Sequence, residues 1–354
     1  MTNFWKDKKV LITGNTGFKG SWLSILLRIL GADVIGYSLS PLTNPNMFSI
    51  CKLDKVIKTT INDISDYETL LNYINDNPTD IVFHMAAQPL VIESYINPYN
   101  TLKTNIQGTY NLLEALKKSN REITFINVTT DKVYENVESN ISYSENDKLG
   151  GHDIYSASKA CSDLITHSYR RSFYDSKDSK IKISTARSGN VIGGGDWSEN
   201  RLIPDIVRAV EDNSSLAIRN PHSTRPWQHV LEPIYGYVLL AEKMYKDRDN
   251  QLATAWNFGP NDSQDQSVSS IAKKFLRLYK KSELYSQSKS ESSHKESNLL
   301  KLDCTKSKVK LLWKSVLSVD DCLELTYTWY SEYKKSSDMY DITCKQIHNY
   351  LERL

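Results

Sequence analysis

A tyrosine and a lysine stand four residues apart in Tyr155-Ser156-Ala157-Ser158-Lys159, a spacing that on a helix puts both side chains on one face, one turn apart. An ammonium beside a phenol favours the phenolate and lowers a pKa that is ordinarily about 10. The pair therefore predicts a tyrosine able to take a proton from an alcohol. Upstream, Thr129-Thr130-Asp131-Lys132 offers a hydroxyl, a carboxyl and an amine in succession. Thr130 could share the hydrogen bond of the alcohol that Tyr155 deprotonates. Asp131 suits a proton donor if an apolar site keeps it neutral, and Lys132 suits an acceptor if burial or nearby positive charge keeps it neutral. A third group is Gly14-Asn15-Thr16-Gly17-Phe18-Lys19-Gly20, with glycines three apart. Such a loop lets backbone approach a pyrophosphate at a helix N-terminus.

These groups need a frame that brings them together. Lys9-Val10-Leu11-Ile12, Asp33-Val34-Ile35-Gly36-Tyr37, Asp80-Ile81-Val82-Phe83-His84 and Ile123-Thr124-Phe125-Ile126-Asn127-Val128 are short, β-branched runs, as parallel strands covered on both faces should be. Segments 21–30, 67–75 and 101–119 carry apolar residues at helical spacing. Strand alternating with helix predicts an α/β fold, a Rossmann-type doubly wound parallel sheet. The glycine loop then lies between the first strand and the first helix, and Thr130 follows the strand ending at Val128, at the carboxyl edge where such folds bind ligands. No Asp or Glu stands in Tyr37-Ser38-Leu39 to take a ribose 2′-hydroxyl, so that position leaves NAD and NADP both open. Asp63 in Asn62-Asp63-Ile64 is either an adenine contact or an exposed loop carboxylate.

Ile181-Lys182-Ile183-Ser184-Thr185-Ala186 reads as a further strand, after which the rhythm breaks. We therefore expect residues 1–186 to form the dinucleotide domain, with a returning segment at about 225–256. Residues 187–224 and 257–354 are expected to form a smaller mixed α/β lobe. Segment 286–296 is polar enough to be a mobile surface stretch, and 299–333 regains helical periodicity.

Composition bounds the function. With 44 basic and 42 acidic residues in 354, the net charge of +2 gives no reason to expect a nucleic acid or an anionic membrane as partner. No apolar run approaches a membrane span, and the N-terminus shows no apolar leader core, so a soluble cytoplasmic protein is expected. The five cysteines are scattered and read as reduced. His84, His152 and His229 have no metal-ligand spacing, and no metal is expected.

The motifs together resemble a known family. The glycine loop, the Tyr155/Lys159 pair and Thr130 are similar to those of extended short-chain dehydrogenases/reductases acting on nucleotide sugars. Gly17-Phe18-Lys19-Gly20-Ser21-Trp22-Leu23-Ser24, Ala86-Ala87-Gln88-Pro89-Leu90-Val91, Thr130-Asp131-Lys132-Val133-Tyr134, Gly193-Gly194-Gly195-Asp196-Trp197, Arg201-Leu202-Ile203-Pro204-Asp205 and Arg225-Pro226-Trp227-Gln228-His229 narrow it to the CDP-glucose 4,6-dehydratase branch. Several of these strings are absent from related epimerases. The resemblance runs through nearly the whole chain, as far as Trp256-Asn257-Phe258-Gly259-Pro260 and Leu302-Asp303.

What it implies is an NAD-dependent lyase that takes CDP-glucose to its 4-keto-6-deoxy product. Thr130, Asp131, Lys132, Tyr155 and Lys159 would be catalytic, with Asp131 the acid and Lys132 the base of an elimination. Glutamate at the base position marks the dTDP-glucose enzymes, so lysine favours the CDP-sugar branch. The cofactor would meet Gly14, Thr16, Gly17, Phe18, Lys19, Gly20, Ser38, Asp63, Ile64, Ala86, Ala87, Gln88, Asn105, Tyr155 and Lys159. The substrate would meet Ser94, Asn190, Arg201, Leu202, Arg225 and His229, the two arginines gripping its diphosphate. Trp197 and Trp227 would pack the lobe or stack the base. Segments 101–119 and 155–174 would form a homodimer interface, in a dimer or a tetramer. Departures are Asn15 for histidine, Ile92 for arginine, and Leu312 before Trp313 in place of a glycine. A 4-epimerase using the same tyrosine, lysine and threonine, and a non-catalytic dinucleotide sensor, are the competing readings.

Overall fold

The computed structural model describes residues 3–138, 141–218, 220–260, 265–287 and 299–354. Seven parallel strands form one sheet: β1 (Lys9–Thr13), β2 (Asp33–Ser38), β3 (Lys58–Ile61), β4 (Ile81–His84), β5 (Ile123–Val128), β6 (Ile181–Ser188) and β7 (Ala255–Phe258). Their order is β3-β2-β1-β4-β5-β6-β7, so the strand order reverses beside β1 and opens the crevice of a doubly wound sheet. Helices between and beyond them are α1 (Phe18–Ile29), α2 (Tyr67–Asp76), α3 (Gly108–Ser119), α4 (Ile154–Phe173), α5 (Leu202–Glu211), α6 (Leu231–Lys246), α7 (Val268–Leu278), α8 (Thr305–Leu311), α9 (Val319–Lys334) and α10 (Met339–Leu351).

Side chains alternate along each strand, and the alternation divides the core in two. Val10, Ile12, Phe83, Ile126 and Val128 face a core shared with Trp22, Leu23 and Leu26 of α1 and Ile234 and Val238 of α6. Leu11, Val82, Ile123 and Phe125 face the opposite core, filled by Leu70 and Ile74 of α2 and Leu112, Leu113 and Leu116 of α3. Burial on both sides is the reason the central strands read as unbroken apolar runs. The edge strand β3, Lys58-Thr59-Thr60-Ile61, is half exposed and carries no such run.

Beyond β6 the chain builds short paired strands, Val191–Ile192 on Gln228–His229 and Thr224–Pro226 on Asp265–Ser267. It then returns through α6 to β7, which pairs with β6 in the register Ala255↔Thr185. At the C-terminal end α10 packs against α1. The polar stretch expected at 286–296 lies almost wholly outside the described residues.

Two elements differ from their expected forms. Segment 101–119 is not one helix: Pro98–Leu102 is α-helical, Lys103–Gln107 makes a π turn, and α3 follows. The Asn97 side chain caps the start by accepting from the Asn100 N–H at 3.2 Å. Within the π turn, Asn105 is tied to the backbone of Gln88 and to Ser158 Oγ, and these contacts hold a wide turn that apolar spacing does not encode. Segment 299–333 contains α8 and α9, and α10 adds a helix beyond it.

The Leu312 departure has a backbone consequence. Leu312 terminates α8 with φ 57°, the left-handed region, while its side chain is 77% exposed. A glycine there would relieve the clash between Cβ and carbonyl that penalises other residues in this conformation. Leu312→Gly is expected to stabilise the fold by roughly 0.5–1 kcal/mol, after the greater freedom of glycine in the unfolded chain is discounted. A urea midpoint no higher than the parent's would contradict this.

Candidate active site

The carboxyl ends of β1, β4, β5 and β6 and the short strands of the second lobe wall a cavity of about 610 Å³. Gly14 begins its floor with φ 75°, and a Cβ there would stand 2.7 Å from the backbone nitrogen of Ala86. A Cβ on Gly20 would stand 2.2 Å from the Gly14 carbonyl oxygen. Only glycine allows the loop to lie this close to the strand ends, with the N-terminus of α1 facing the cavity. Thr16 steadies the rim: its hydroxyl lies 2.7 Å from Ser38 Oγ and donates to the Leu39 carbonyl at 2.8 Å. Such a cradle of backbone fits the pyrophosphate of a dinucleotide. The ribose end has hydroxyls, Ser38 and Ser40, and no basic residue from 37 to 46 for a 2′-phosphate.

α4 brings Tyr155 and Lys159 to the opposite wall. Asp153 caps the helix by accepting from the Ser156 N–H at 2.9 Å, and the Tyr155 N–H donates to Ser94 Oγ at 3.2 Å. Lys159 reaches down one turn later and donates to the carbonyl of Val128, the last residue of β5, at 3.0 Å. Thr130 opens a single 3₁₀ turn, Asp131–Val133. Its hydroxyl donates to Asp131 Oδ1 at 3.0 Å. Lys132 Nζ stands 3.8 Å from Asp131 Oδ1.

Electrostatically the site differs from its sequence expectation. Burial pushes the Tyr155 phenol up to about 12, with Thr130 beside it pulling the other way. Burial likewise pulls Lys159 down to about 8. Lys159 holds the strand end, and burial of the Tyr155 phenol outweighs the groups that favour its charged form. Lys19 is a second buried cation, drawn down to about 7 by burial and then by Arg201. It donates to Ser188 Oγ at 3.0 Å, and Ser188 in turn lies 2.7 Å from the Tyr237 hydroxyl.

Most expected site residues line this one cavity. Gly14, Thr16, Gly17, Phe18, Lys19 and Gly20 do so, as do Ser38, Asp63, Ile64, Ala86 and Ala87 on the dinucleotide side. Thr130, Asp131, Lys132, Tyr155 and Lys159 line its centre, and Asn190, Arg201, Leu202 and Arg225 its far side. Four expected contacts stand behind the wall. Gln88 and Asn105 bond each other, and Ser94 holds the Tyr155 backbone. His229 is buried against Trp22, with its Nδ1 accepting from the Leu231 N–H. Each is a buried polar group engaged in local structure. Ile92, where the family carries arginine, also lines the cavity, and Asn15 lies beneath the loop, donating to Thr59.

Sequence reading missed Asp196, whose carboxylate accepts from Arg201 at 2.9 Å and aims that guanidinium into the cavity. Nothing in the spacing of Asp196 and Arg201 marks them as partners. Trp197 packs edge-on against Trp329, Tyr330 and Tyr333, and Trp227 donates to the Gln266 carbonyl. No group of metal-ligating side chains occurs among the described residues.

A doubly wound seven-stranded sheet with a glycine loop at its first turn and a Tyr–Lys–Thr group at its carboxyl edge defines the extended short-chain dehydrogenase class. Residues 11–326 match the GDP-mannose 4,6 dehydratase family, and the chain belongs to it. A CDP-glucose 4,6-dehydratase of Salmonella typhimurium is 41% identical over 352 residues, covering 99% of this chain and 98% of that protein. A human dTDP-D-glucose 4,6-dehydratase is 25% identical over 92% of this chain and 90% of its own. Among solved structures, a dTDP-glucose 4,6-dehydratase from Streptomyces venezuelae with NAD bound superposes with a TM-score of 0.79 at 23% identity, covering 94% of this chain and 99% of that one. The UDP-glucose 4-epimerase of Thermotoga maritima gives 0.78 at 22% identity, covering 92% and 99%.

Proposed function

We propose that this chain is an NAD-dependent CDP-glucose 4,6-dehydratase, a lyase that releases water from its sugar nucleotide. The observation that carries the reading is the adjacency of Asp131 and Lys132 on the same cavity wall as Tyr155 and Thr130. A 4-epimerase needs the tyrosine, lysine and threonine but has no elimination to perform, so an extra acid and base favour the dehydratase. The family match and the 41% identity to the Salmonella enzyme support it independently.

When bound, NAD supplies a hydride acceptor that later becomes the donor, with a positive ring charge that favours the phenolate. Tyr155 takes the proton of the sugar 4-hydroxyl, which Thr130 holds by hydrogen bonding. Once C4 is a ketone the C5 hydrogen is acidic, and Lys132 removes it. Asp131 protonates the departing 6-hydroxyl, which leaves as water, and Lys132 returns a proton to C5 when C6 is reduced. Gly14, Gly17 and Gly20 hold the pyrophosphate, and residues 187–224 and 257–354 form the lobe over the sugar nucleotide. The test is incubation of purified protein with CDP-, dTDP-, UDP- and GDP-glucose. The reading expects a 4-keto-6-deoxy product from the CDP sugar, and a 4-epimer or no product would refute it.

Arg201 and Arg225 are read as the diphosphate clamp. Replacing either by alanine should raise KM about 10–100-fold, the equivalent of one charged hydrogen-bond set. Unchanged kinetics in both single variants would put the diphosphate elsewhere. The exposed side chains Tyr99, Leu102 and Tyr110, with Leu164 and Phe173 on α4, form the face we assign to a second copy, and a mass measurement in solution checks that assignment. No helix among the described residues is long and apolar enough to cross a membrane, and all five cysteines are free, which supports work in a reducing cytoplasm.

A further inference from the structure

Lys19 belongs to the glycine loop by sequence, yet its side chain ends in the other half of the site. Its Nζ donates to Oγ of Ser188, the last residue of β6, at 3.0 Å. Ser188 Oγ lies 2.7 Å from the Tyr237 hydroxyl, and the centre of the Tyr237 ring on α6 stands 6.0 Å from the amine. Tyr237 is fully buried, so the socket that holds the amine is a fixed part of the core. The chain leaving Ser188 runs at once against the proposed acid: a Cβ on Gly189 would stand 2.9 Å from Asp131 Oδ2. Lys19, Ser188, Gly189 and Asp131 all line the cavity.

The start of α1 is also fastened to the second lobe. Trp22 Nε1 donates to the Gly194 carbonyl at 2.9 Å, and a Cβ on Gly193 would stand 3.2 Å from the Phe18 ring. Two residues past Gly194, Asp196 holds Arg201. The first turn of α1 therefore borders both ligand regions, its backbone facing the dinucleotide and its lysine reaching toward the sugar nucleotide. Charge sharpens this placement. Arg201 is paired with Asp196, and Lys132 stands 3.8 Å from Asp131, whereas Lys19 makes no ion pair among the described residues. An ammonium has three donors, and the Ser188 hydroxyl engages one of them. A desolvated ammonium without a carboxylate either sheds its proton or meets an anion. The diphosphate of a sugar nucleotide is such an anion.

We propose that the Lys19 side chain binds substrate and not cofactor, gripping together with Arg201 the phosphate nearest the sugar. That phosphate is chosen because the socket adjoins Asp131, which faces the sugar. The inference rests on the dehydratase reading, since it needs a sugar nucleotide in this cavity, and it adds a third cation to the two arginines. Ser188 and Tyr237 act as positioning residues beneath it. A pH dependence follows. Burial draws the free amine down to about 7, with Arg201 and Lys159 lowering it further and Asp131 opposing them. Asp196 is taken up by Arg201. Only the protonated amine attracts the diphosphate, and the bound diphosphate in turn raises the amine's pKa. Substrate affinity is thus greatest below the free amine's pKa and declines as pH rises through it.

The experiment measures kcat and KM for CDP-glucose at about pH 6.5 and about pH 8.5 in the NAD-loaded parent, Lys19→Met and Lys19→Gln enzymes. At the lower pH, Lys19→Met should raise KM by about 10–100-fold, with a smaller change in kcat. The parent's KM should rise by about 5-fold or more between the two pH values, and the neutral variants should lose most of that rise. Inhibition by CDP should weaken in step with KM, while inhibition by CMP, which lacks the sugar-side phosphate, should stay within about twofold of the parent's. Unchanged KM with less NAD retained on gel filtration would return Lys19 to the cofactor and overturn the proposal. Equal weakening of CDP and CMP, or a pH rise kept in full by the variants, would overturn it too. Should Lys19→Met fail to fold, Lys19→Gln, which keeps a donor for Ser188, makes the same comparisons. A parent that forms no 4-keto-6-deoxy product would instead refute the dehydratase reading itself, which keeps the two failures apart.

Discussion

Tyr155→Phe is expected to lower kcat by about 10²–10⁴-fold while KM stays within about threefold. The phenol is buried among Thr130, Asp131 and Arg201 and is pushed up to about 12, chiefly by its burial. Phenylalanine keeps the ring and its packing on α4 and loses only the oxygen that exchanges protons. The change therefore removes an interaction made during reaction and spares the contacts that hold substrate. Product formation under saturating CDP-glucose measures it, with circular dichroism to confirm an intact fold. Activity within threefold of the parent would mean that another group, or a water, takes the 4-hydroxyl proton.

The second large effect falls on stability. Arg187 on β6 forks onto Asp163 of α4 through two hydrogen bonds of 2.8 Å, with the two side chains only 4% and 2% exposed. Asp163 also accepts from Thr129, beside Thr130, at 3.0 Å. Arg187 donates further to the Tyr134 hydroxyl, which donates to Asn257 Oδ1 on β7. Asp163→Ala strands a buried guanidinium and should cost about 3–5 kcal/mol. Replacing both ends with apolar residues, as in Asp163→Leu with Arg187→Met, should recover most of that loss, since the pair's own net contribution is small once both charges are gone. Denaturant midpoints of the single and double variants decide it. A single variant within about 1 kcal/mol of the parent would show that water or another carboxylate compensates the arginine.

Sequence alone reached furthest where one local rule controls one local outcome. The apolar runs of β1, β4 and β5 are visible because both their faces are covered, and the glycine loop is visible because its turn admits no side chain at Gly14 or Gly20. Tyr155 and Lys159 are legible through the helical repeat. Less legible was whatever depends on residues distant in the chain. β3 carries polar side chains because it is an edge, and the π turn at Lys103–Gln107 owes its shape to Gln88 and Ser158. Asp196 and Asp163 acquire meaning only when loops and strands bring Arg201 and Arg187 to them. The spacing of Tyr155 and Lys159 correctly put them on one helix face, yet it could not weigh desolvation against charge, and the tyrosine moved upward instead of downward. Ser94 and His229 illustrate the same limit: residue type suggested contact with substrate, whereas each is used to secure the backbone behind the wall.

The late return of β7 has a consequence for how the chain comes off the ribosome. β6 is complete at residue 188, but the strand that covers its outer edge is not made until residue 258, with the start of the second lobe synthesised between them. Through that interval β6 presents a row of unpaired amides and carbonyls, the kind of edge that recruits strands from other chains. The face of α1 that α10 covers waits longer still, until residues 339–351 emerge. A nascent chain halted before Ala255 should therefore be a far stronger client for holding chaperones than one halted after Leu351, although both contain the whole glycine loop and the whole Tyr–Thr–Asp group. Chemistry here is finished early in the chain, and its protection from aggregation is finished last.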